Sequence, residues 1–229
     1  MAHLARSNTP VFIGLVDGYP NLRVRGTLKD GAVVLQGKFP IIYEGTEIEC
    51  FFIRMAVPYD FPKSLPRVWE TQGRIPHTPE RHVNRTDGTL CVMFPDEAYL
   101  GEVSITTVVN YLDGPLRNYF IGQLCFERGE AWPWGEHRHG EDGIFDFYSK
   151  LVGADNPVVV LRVLVQVYEG RYKGHWWCPC GSGEIIRKCH GSLMRRIREK
   201  IPERLLERTI VAIGKRLDAP LISNDAARR

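Results

Sequence analysis

The chain has 229 residues, of which 44% are hydrophobic and 25% charged, and its formal net charge is +3 at pH 7. This average composition excludes an intrinsically disordered chain, a collagen-like repeat and a disulfide-dense small protein, and no apolar stretch reaches the ~20 residues of a membrane-spanning helix. The charge is uneven, since residues 1–155 hold 15 Lys and Arg against 20 Asp and Glu, whereas residues 156–229 hold 15 against 7. We therefore predict two domains, 1–155 with a net charge of −5 and 156–229 with a net charge of +8.

The first part of the sequence shows the alternation that is typical of β-strands. Apolar and basic residues alternate over residues 22–25, and residues 51–57 are apolar on both faces apart from Arg54. Residues 11–16 are a further short apolar run that predicts a strand. Asp-Gly pairs between these runs favour tight turns, so we expect an antiparallel meander.

Prolines interrupt the chain repeatedly after the predicted sheet. Five of them fall between Pro58 and Pro79, which excludes a helix there and leaves only residues 67–71 as a short strand. From residue 75 to residue 94 we predict an irregular, surface-exposed loop.

Helical spacing follows in the rest of the first part. Ser104 is placed to cap a helix whose apolar face begins at Ile105, and Gly114-Pro115 should break or kink it. Residues 144–151 predict another short helix, which Gly153 ends. Strands, a loop and then helices indicate the α+β fold class.

The second part is predicted to be a small helical domain. Asn156-Pro157 is a cap followed by proline at the first helical position, which favours a helix over the strand that the β-branched residues 158–167 would also allow. Residues 192–200 and 202–217 have the pattern of two basic amphipathic helices.

Three cysteines and a histidine lie together in this second part, namely Cys178, Cys180, Cys189 and His190. Three thiols and an imidazole form a tetrahedral ligand set for Zn²⁺, and a redox-active cluster is the alternative. The spacing and the Pro-Cys-Gly-Ser-Gly core resemble the SEC-C zinc-binding motif known from the C-terminus of the SecA translocase. A closed set of four ligands predicts a structural Zn²⁺ that holds together a domain too small for a core of its own.

The basic helices that follow the cysteine–histidine cluster have two interpretations. They form either a solvated face or a surface that docks onto an acidic protein or nucleic acid. Nucleic acid is an unlikely partner on sequence grounds, because no aromatic residues are interleaved after Lys188 and because Trp176 and Trp177 are expected to pack the zinc module.

Cys91 differs from the two other lone cysteines. Cys50 lies in a predicted strand and Cys125 in a helical stretch, where each fits the role of a small buried hydrophobe. Cys91 instead ends a polar loop, where an exposed thiol could attack an acyl group while Asn84 donates a hydrogen bond to the developing oxyanion. A purely structural cysteine is the alternative.

The sequence around Cys91 resembles the signature of the ubiquitin-conjugating (UBC) enzymes. The shared features are Pro58-Tyr59, Phe61-Pro62, Leu65-Pro66, Val68, Thr71, His82-Val83-Asn84 and Gly88-Thr89-Leu90-Cys91. The resemblance implies the fold of that family over about one domain, with Cys91 as the thioester-forming nucleophile and Asn84 as support for the oxyanion or the active-site loop. It places His82 at the first, mostly structural position of the family's His-Pro-Asn motif, where Val83 replaces the proline.

Two further segments look like the bacterial relatives of these enzymes in anti-phage operons of the CBASS type. They are residues 73–77, Gly-Arg-Ile-Pro-His, and residues 132–136, Trp-Pro-Trp-Gly-Glu. This resemblance implies a transferase in antiviral defence that joins a protein C-terminus, expected to be that of a cGAS/DncV-like nucleotidyltransferase, to an amine on a target. The alternatives are a non-catalytic adaptor that binds the nucleotidyltransferase, and a cysteine hydrolase with a Cys91–His82 pair that reverses such conjugates.

Two further predictions concern a pair of histidines and the compartment in which the protein resides. His137 and His139 could line an acyl channel and help to deprotonate the amine, or they could belong to a solvated loop. Residues 1–9 lack the apolar core of a signal peptide, and thiolate ligands suit a reducing compartment, so we expect a cytoplasmic protein without a membrane partner.

Overall fold

The computed structural model describes residues 10–101, 104–133 and 140–218. Two compact units make up the chain, Met1–Glu136 and His137–Arg229. The units divide earlier than the charge boundary after residue 155, because the helix Gly140–Val152 packs against later helices within the second unit. A change of net charge along the sequence does not report which helices share a core.

The first unit is an antiparallel sheet followed by a loop and helices. Its strands are β1 (Leu22–Thr27), β2 (Val33–Tyr43), β3 (Thr46–Val57) and β4 (Arg67–Glu70), which lie in the order β1-β2-β3-β4. Its helices are α1 (Leu15–Gly18), α2 (Pro95–Leu100), α3 (Val108–Tyr111) and α4 (Arg117–Glu127), with 3-10 turns at Pro10–Phe12 and Pro79–Arg81 and a π-helical turn at Leu112–Leu116. The predicted antiparallel meander and the α+β class are confirmed.

The strand predicted over residues 11–16 is wrong. The chain turns at Gly14, whose φ of +77° is in the left-handed region, and α1 follows directly. Phe12 and Leu15 are buried while Ile13 and Val16 are exposed, a spacing of three that belongs to a helix. A run of six mostly apolar residues is too short to distinguish the two-residue period of a strand from the ~3.6-residue period of a helix.

Helix α3 begins at Val108 rather than directly after Ser104. Thr107 caps it through a reciprocal pair: the Asn110 N–H donates to Thr107 Oγ1 and the Thr107 N–H donates to Asn110 Oδ1. The helix does not end at Gly114-Pro115. Pro115 has no N–H to donate within the helix, and the chain passes through this position as a π-helical turn that continues into α4.

An aromatic core joins the sheet to α4. The rings of Phe51 and Phe120 are stacked with centroids 4.2 Å apart, and Phe39, the cross-strand partner of Phe51, lies 5.5 Å from Phe120. Each fully buried phenylalanine contributes about 1.5–3 kcal/mol to folding. This packing fixes α4 on the sheet, and α4 in turn holds the loop before Cys91.

The second unit is helical, as predicted. Its helices are α5 (Gly140–Val152), α6 (Pro157–Glu169), α7 (Gly191–Lys200) and α8 (Glu203–Asp218), with a 3-10 turn at Ile186–Lys188. Asn156 caps α6 by accepting a hydrogen bond from the Val158 N–H at 2.9 Å, which confirms the predicted helix start. No single helix among the described residues is long and apolar enough to cross a membrane, although α5 and α6, bent by 78°, reach that length and hydropathy when taken together.

Candidate active-site loop and candidate metal centre

Cys91 lies at the end of a loop whose backbone is fixed on both sides of the thiol. The Leu90 N–H donates to the Val68 carbonyl of β4 at 2.8 Å, and the Cys91 N–H donates to the His82 carbonyl at 2.8 Å. Cys91 is exposed, whereas Cys50 and Cys125 are half-buried. The main chain is therefore held while the side chain is accessible.

The loop is more deeply packed than the sequence predicts. Ile75, Val83 and Leu90 are buried in the core of the first unit, and Val83 and Leu90 form an antiparallel bridge. The loop over residues 75–94 is irregular, as predicted, but the prediction that it is surface-exposed is wrong at these three residues. Apolar side chains that recur within a proline-rich segment can be buried without regular secondary structure.

Helix α4 binds the loop at the residue before His82. Tyr119 Oη donates to the Arg81 carbonyl at 3.0 Å, and Gln123 Nε2 donates to the same oxygen at 2.6 Å. Tyr119 and Gln123 are one helical turn apart and are both buried. Sequence reasoning missed these two residues, although a glutamine on the apolar side of a helix is a signal, since a buried amide requires a hydrogen-bond partner.

A second contact between the loop and α4 is ionic. Arg74 lies between Glu49 of β3 and Glu127 of α4, with Nη2–Oε2 distances of 3.1 and 2.8 Å, and Arg81 also reaches Glu127 at 3.3 Å. The two carboxylates, Glu127 first, raise the pKa of Arg74, so its charge is permanent. The loop is thus tied to a strand and to a helix of the same unit.

His82 contributes its backbone to Cys91 and its ring to the core. Its φ is +51°, and its ring meets the Trp132 indole edge-on at a centroid distance of 4.4 Å. The left-handed conformation turns the His82 carbonyl toward the Cys91 N–H. This geometry agrees with a structural role at this position.

Asn84 supports the turn before Cys91. Its Oδ1 accepts hydrogen bonds from the Thr86 N–H at 3.2 Å and from Thr86 Oγ1 at 2.7 Å, and its own N–H donates to the Thr89 carbonyl. The carbonyl end of the amide is therefore used by the turn, and the NH₂ end can donate to a ligand. Asn84 is exposed.

The surroundings of Cys91 disfavour its thiolate form. Partial burial of Sγ raises the pKa of the thiol above its ordinary value, although the residue is exposed overall, and the negative charge of Asp87 adds to the effect. Hydrogen bonds from Thr89 hold the pKa of Asp87 below its usual range, so this carboxylate is charged.

Asp87→Asn is expected to lower the pKa of Cys91, because it removes the negative charge that disfavours the thiolate. Asparagine keeps the acceptor oxygen for Thr89, so the loop stays intact. Alkylation of Cys91 by iodoacetamide at pH 7.5, followed by peptide mass spectrometry, should become faster by roughly twofold. Asp17→Asn in α1 is the control and should leave the rate unchanged; an unchanged rate in Asp87→Asn would contradict the assignment.

The metal-ligand set predicted in the second unit is brought together. The ligand atoms of Cys178, Cys180, Cys189 and His190 all lie within 4.8 Å of one another, so these four residues could hold a metal ion. Cys180 Sγ and Cys189 Sγ are 3.6 Å apart, and His190 Nδ1 lies 3.2 Å from Cys178 Sγ and 3.1 Å from Cys189 Sγ. Ligand atoms around a tetrahedral zinc are separated by about 3.5–3.8 Å, so the set fits such an ion after small adjustments.

The backbone forms this centre from two short antiparallel segments and the start of a helix. The Cys178 N–H donates to the Glu184 carbonyl at 2.8 Å, and positive φ angles at Gly181 and Gly183 fold the chain back between them. His190 lies directly before α7, and its Nε2 is 2.9 Å from the carbonyl of Val152 at the end of α5. Donation of the Nε2 proton to this carbonyl leaves Nδ1 unprotonated for a metal. A histidine that ligates a metal through one ring nitrogen commonly donates the proton of the other nitrogen to a backbone carbonyl in this way.

The thiol acidities also fit a bound cation. Burial raises the pKa of Cys178 to about 11. Burial acts on Cys180 in the same direction, but hydrogen bonds from Ser182 and the adjacent thiols outweigh it and lower its pKa to about 6. Three thiols this close cannot all lose their protons without a cation, because the thiolates would repel one another. A divalent cation would stabilise the three thiolates together.

Other predicted features of the second unit have different outcomes. Trp177 does not pack the zinc module as expected, since its side chain is 74% exposed, whereas Trp176 is 44% exposed and lies across the hairpin from the buried Ile186. Part of the basic face of α8 is paired, because Lys215 binds Glu141 and Arg216 binds Asp142. His137 and His139 lie outside the described residues.

Comparison with protein-family models, with curated proteins and with solved structures finds no match for this chain.

Proposed function

We propose that the first unit is a ubiquitin-conjugating-like acyl transferase in which Cys91 carries the C-terminal acyl group of a protein as a thioester. The observation that supports this best is that Cys91 is an exposed residue on a backbone held at Leu90 by β4 and at Cys91 by His82. The order of elements, an antiparallel meander, a loop with the cysteine and then helices, agrees with the resemblance of the loop to that enzyme class.

The proposed reaction has two steps. Cys91 Sγ first attacks an activated acyl donor, either a thioester on another protein or an acyl-adenylate. A C–S bond forms, the donor's thiolate or AMP leaves, and the thiol proton of Cys91 passes to solvent. A lysine amine of the target then attacks the new thioester, so that a C–N bond forms and the C–S bond breaks; the amine loses a proton to solvent and Cys91 Sγ takes one up. Asn84 would donate its NH₂ group to the oxyanion, and His82 would act as a positioning residue through its carbonyl.

The raised pKa of Cys91 is compatible with a transferase and gives no support to a hydrolase. A cysteine hydrolase works through a thiolate that an imidazolium stabilises, which lowers the pKa of the thiol. A thiol of high pKa is instead a poor leaving group, so its thioester resists loss of the acyl group until an amine is positioned. Burial and Asp87 both act in this second direction.

Zn²⁺ is the metal that we propose for the second unit. Three thiolates and one imidazole in a closed set leave no open position for a substrate, which is the composition of a structural zinc site. Bound there, the ion would join the two antiparallel segments to the start of α7. It takes no part in acyl transfer.

The proposed partner is a cGAS/DncV-like nucleotidyltransferase whose C-terminus Cys91 would accept, in a cytoplasmic antiviral system of the CBASS type. The support for this partner is the resemblance of residues 73–77 and 132–136 to bacterial conjugating enzymes. In the structure Arg74 of the first segment and Trp132 of the second both contact the framework of the Cys91 loop. These segments would therefore support the loop, whichever protein is transferred.

Co-expression with such a nucleotidyltransferase tests the proposal. The expected product is a covalent adduct on Cys91 that a thiol reductant cleaves, visible on non-reducing gels and located by mass spectrometry. Cys91→Ser should give an ester that resists the reductant, and Cys91→Ala should give no adduct. Cys125→Ser, which changes a half-buried lone cysteine, should form the adduct normally.

Three outcomes would overturn the proposal. An adduct that persists in Cys91→Ala would place the nucleophile elsewhere. A stable complex with no adduct, when acyl-adenylate and thioester donors are both supplied, would make the protein an adaptor. Release of free C-termini from a conjugate, with no covalent adduct accumulating on the protein, would make it a hydrolase.

A further inference from the structure

The hairpin of the metal centre presents an aromatic side chain to solvent. Trp177 and Ile185 form an antiparallel bridge, and the Ile186 N–H donates to the Trp176 carbonyl at 2.8 Å. Successive side chains of a two-stranded ribbon point to opposite faces. Ile186 is buried, so Trp176 shares the inner face with it, whereas Trp177 and Ile185 lie on the outer face.

We use the term outer face for Trp177 and Ile185 together with the exposed residues that flank this bridge, His175 in the turn before it and Arg187 in the 3-10 turn Ile186–Lys188 after it. Arg187 lies across Gly174, because a Cβ on that glycine would be only 3.3 Å from the Arg187 Cβ. Trp177 is 74% exposed, and His175 and Arg187 are exposed as well. An indole that folding does not bury needs an explanation, since tryptophan is among the most strongly buried side chains on average.

The charge around this face is positive. Residues 171–188 contain four basic residues, Arg171, Lys173, Arg187 and Lys188, and a single acidic residue, Glu184. All four basic side chains are exposed, and within the described residues none of them forms a salt bridge. The whole second unit holds 17 Lys and Arg against 11 Asp and Glu, so the local charge is not offset by its surroundings in the sequence.

We infer that the outer face of the hairpin binds single-stranded nucleic acid, with a base stacked on Trp177 and phosphates held by Arg187, Lys188 and Lys173. An exposed aromatic ring between cations that no carboxylate neutralises is the combination that such binding uses. A protein partner would require a contiguous apolar patch around the anchor. Among the described residues of the outer face, Ile185 is the one apolar neighbour of Trp177 and is half-buried, and Trp176, which is 44% exposed, lies on the opposite face.

This inference replaces the prediction that nucleic acid is an unlikely partner, because that prediction assumed that Trp177 packs the zinc module, whereas its side chain is 74% exposed. The inference does not depend on the proposed acyl transfer.

Fluorescence anisotropy of the full chain tests it, with labelled oligo(U) and oligo(dT) of about 12 nucleotides as probes. Trp177→Ala should weaken binding by about tenfold, and Trp177→Phe by less than about threefold, since phenylalanine retains a stacking face. Arg187→Gln with Lys188→Gln should reduce the slope of log K against log salt by about 1.4, the value for two lost phosphate contacts. Tyr59→Ala, which removes an equally exposed aromatic residue from the first unit, should have no effect.

The same experiment can overturn the inference. Equal affinity of the wild-type chain and Trp177→Ala would show that charge alone is responsible, and absence of binding at low salt would exclude the site. Equal competition by poly-glutamate of matched charge would assign the face to an acidic protein. Metal content is measured for each variant; if Trp177→Ala loses its metal, Trp177→Phe and the Arg187/Lys188 variant decide the question.

Discussion

Cys189→Ser is expected to empty the metal centre and to unfold the hairpin of residues 174–190, while the sheet of the first unit stays folded. Cys189 Sγ lies next to both Cys180 Sγ and His190 Nδ1, so the substitution removes a ligand that lies between two others. Structural zinc contributes about 10–16 kcal/mol in small domains, which is comparable to the ~5–15 kcal/mol by which a whole domain is usually stable. Metal analysis should find one ion per wild-type chain and none in the variant.

Hydrogen exchange locates the effect. Protection should be lost over residues 174–190 and should weaken at the end of α5, where His190 Nε2 binds the Val152 carbonyl. Amides of β2 and β3 should exchange as in the wild type. Cys125→Ser is the matched control, because this cysteine belongs to the first unit and is not in the ligand set. A variant Cys189→Ser that keeps both its metal and its protection would refute the assignment.

The features that the sequence predicts correctly are those with a local physical signal. The start of α6 follows from Asn156 and Pro157 alone, because the cap and the proline act within one turn of the helix. The metal-ligand set follows from spacing, because Cys178, Cys180 and the Cys189-His190 pair are close enough along the chain for two glycines to bring them together.

The features that the sequence does not predict depend on contacts between distant residues. Tyr119 and Gln123 bind the Arg81 carbonyl across 38 and 42 positions, and nothing local to either segment indicates this pairing. The exposure of Trp177 is a second case. Composition predicts a buried indole, and only the bridge to Ile185 shows that this side chain lies on the face turned away from the buried Ile186.

The accessibility of Cys91 is itself a consequence of non-local packing. A loop with many prolines could leave the thiol in any orientation, but β4, the His82 carbonyl and α4 together restrict the backbone. Part of this restriction comes from residues that are distant from Cys91 in the sequence: Arg74 pairs with Glu127 of α4, and α4 holds the Arg81 carbonyl through Tyr119 and Gln123. A change in α4 should therefore alter the reactivity of Cys91 without touching it.

Gly122→Ala is the substitution expected to do so. A Cβ at position 122 would lie 1.9 Å from Cζ3 and 2.0 Å from Cε3 of Trp132, so the indole must move. Alanine normally stabilises a helix relative to glycine by up to ~1 kcal/mol, whereas overpacking a buried site costs about 1–3 kcal/mol. We expect the second effect to dominate and the first unit to be destabilised, because Trp132 is buried and has little room to shift.

The displaced indole should also affect the candidate active site. Trp132 packs against the His82 ring at 4.4 Å, and the His82 carbonyl accepts the hydrogen bond of the Cys91 N–H. Hydrogen exchange should therefore report faster opening of α4 and β3, and alkylation of Cys91 should become faster as the loop loosens. Gly214→Ala in α8 provides the control, since a Cβ there meets no atom within 4 Å and the same substitution should slow exchange in that helix. If Gly122→Ala were as stable as the wild type, the packing of Trp132 against α4 could not be what holds His82 in place.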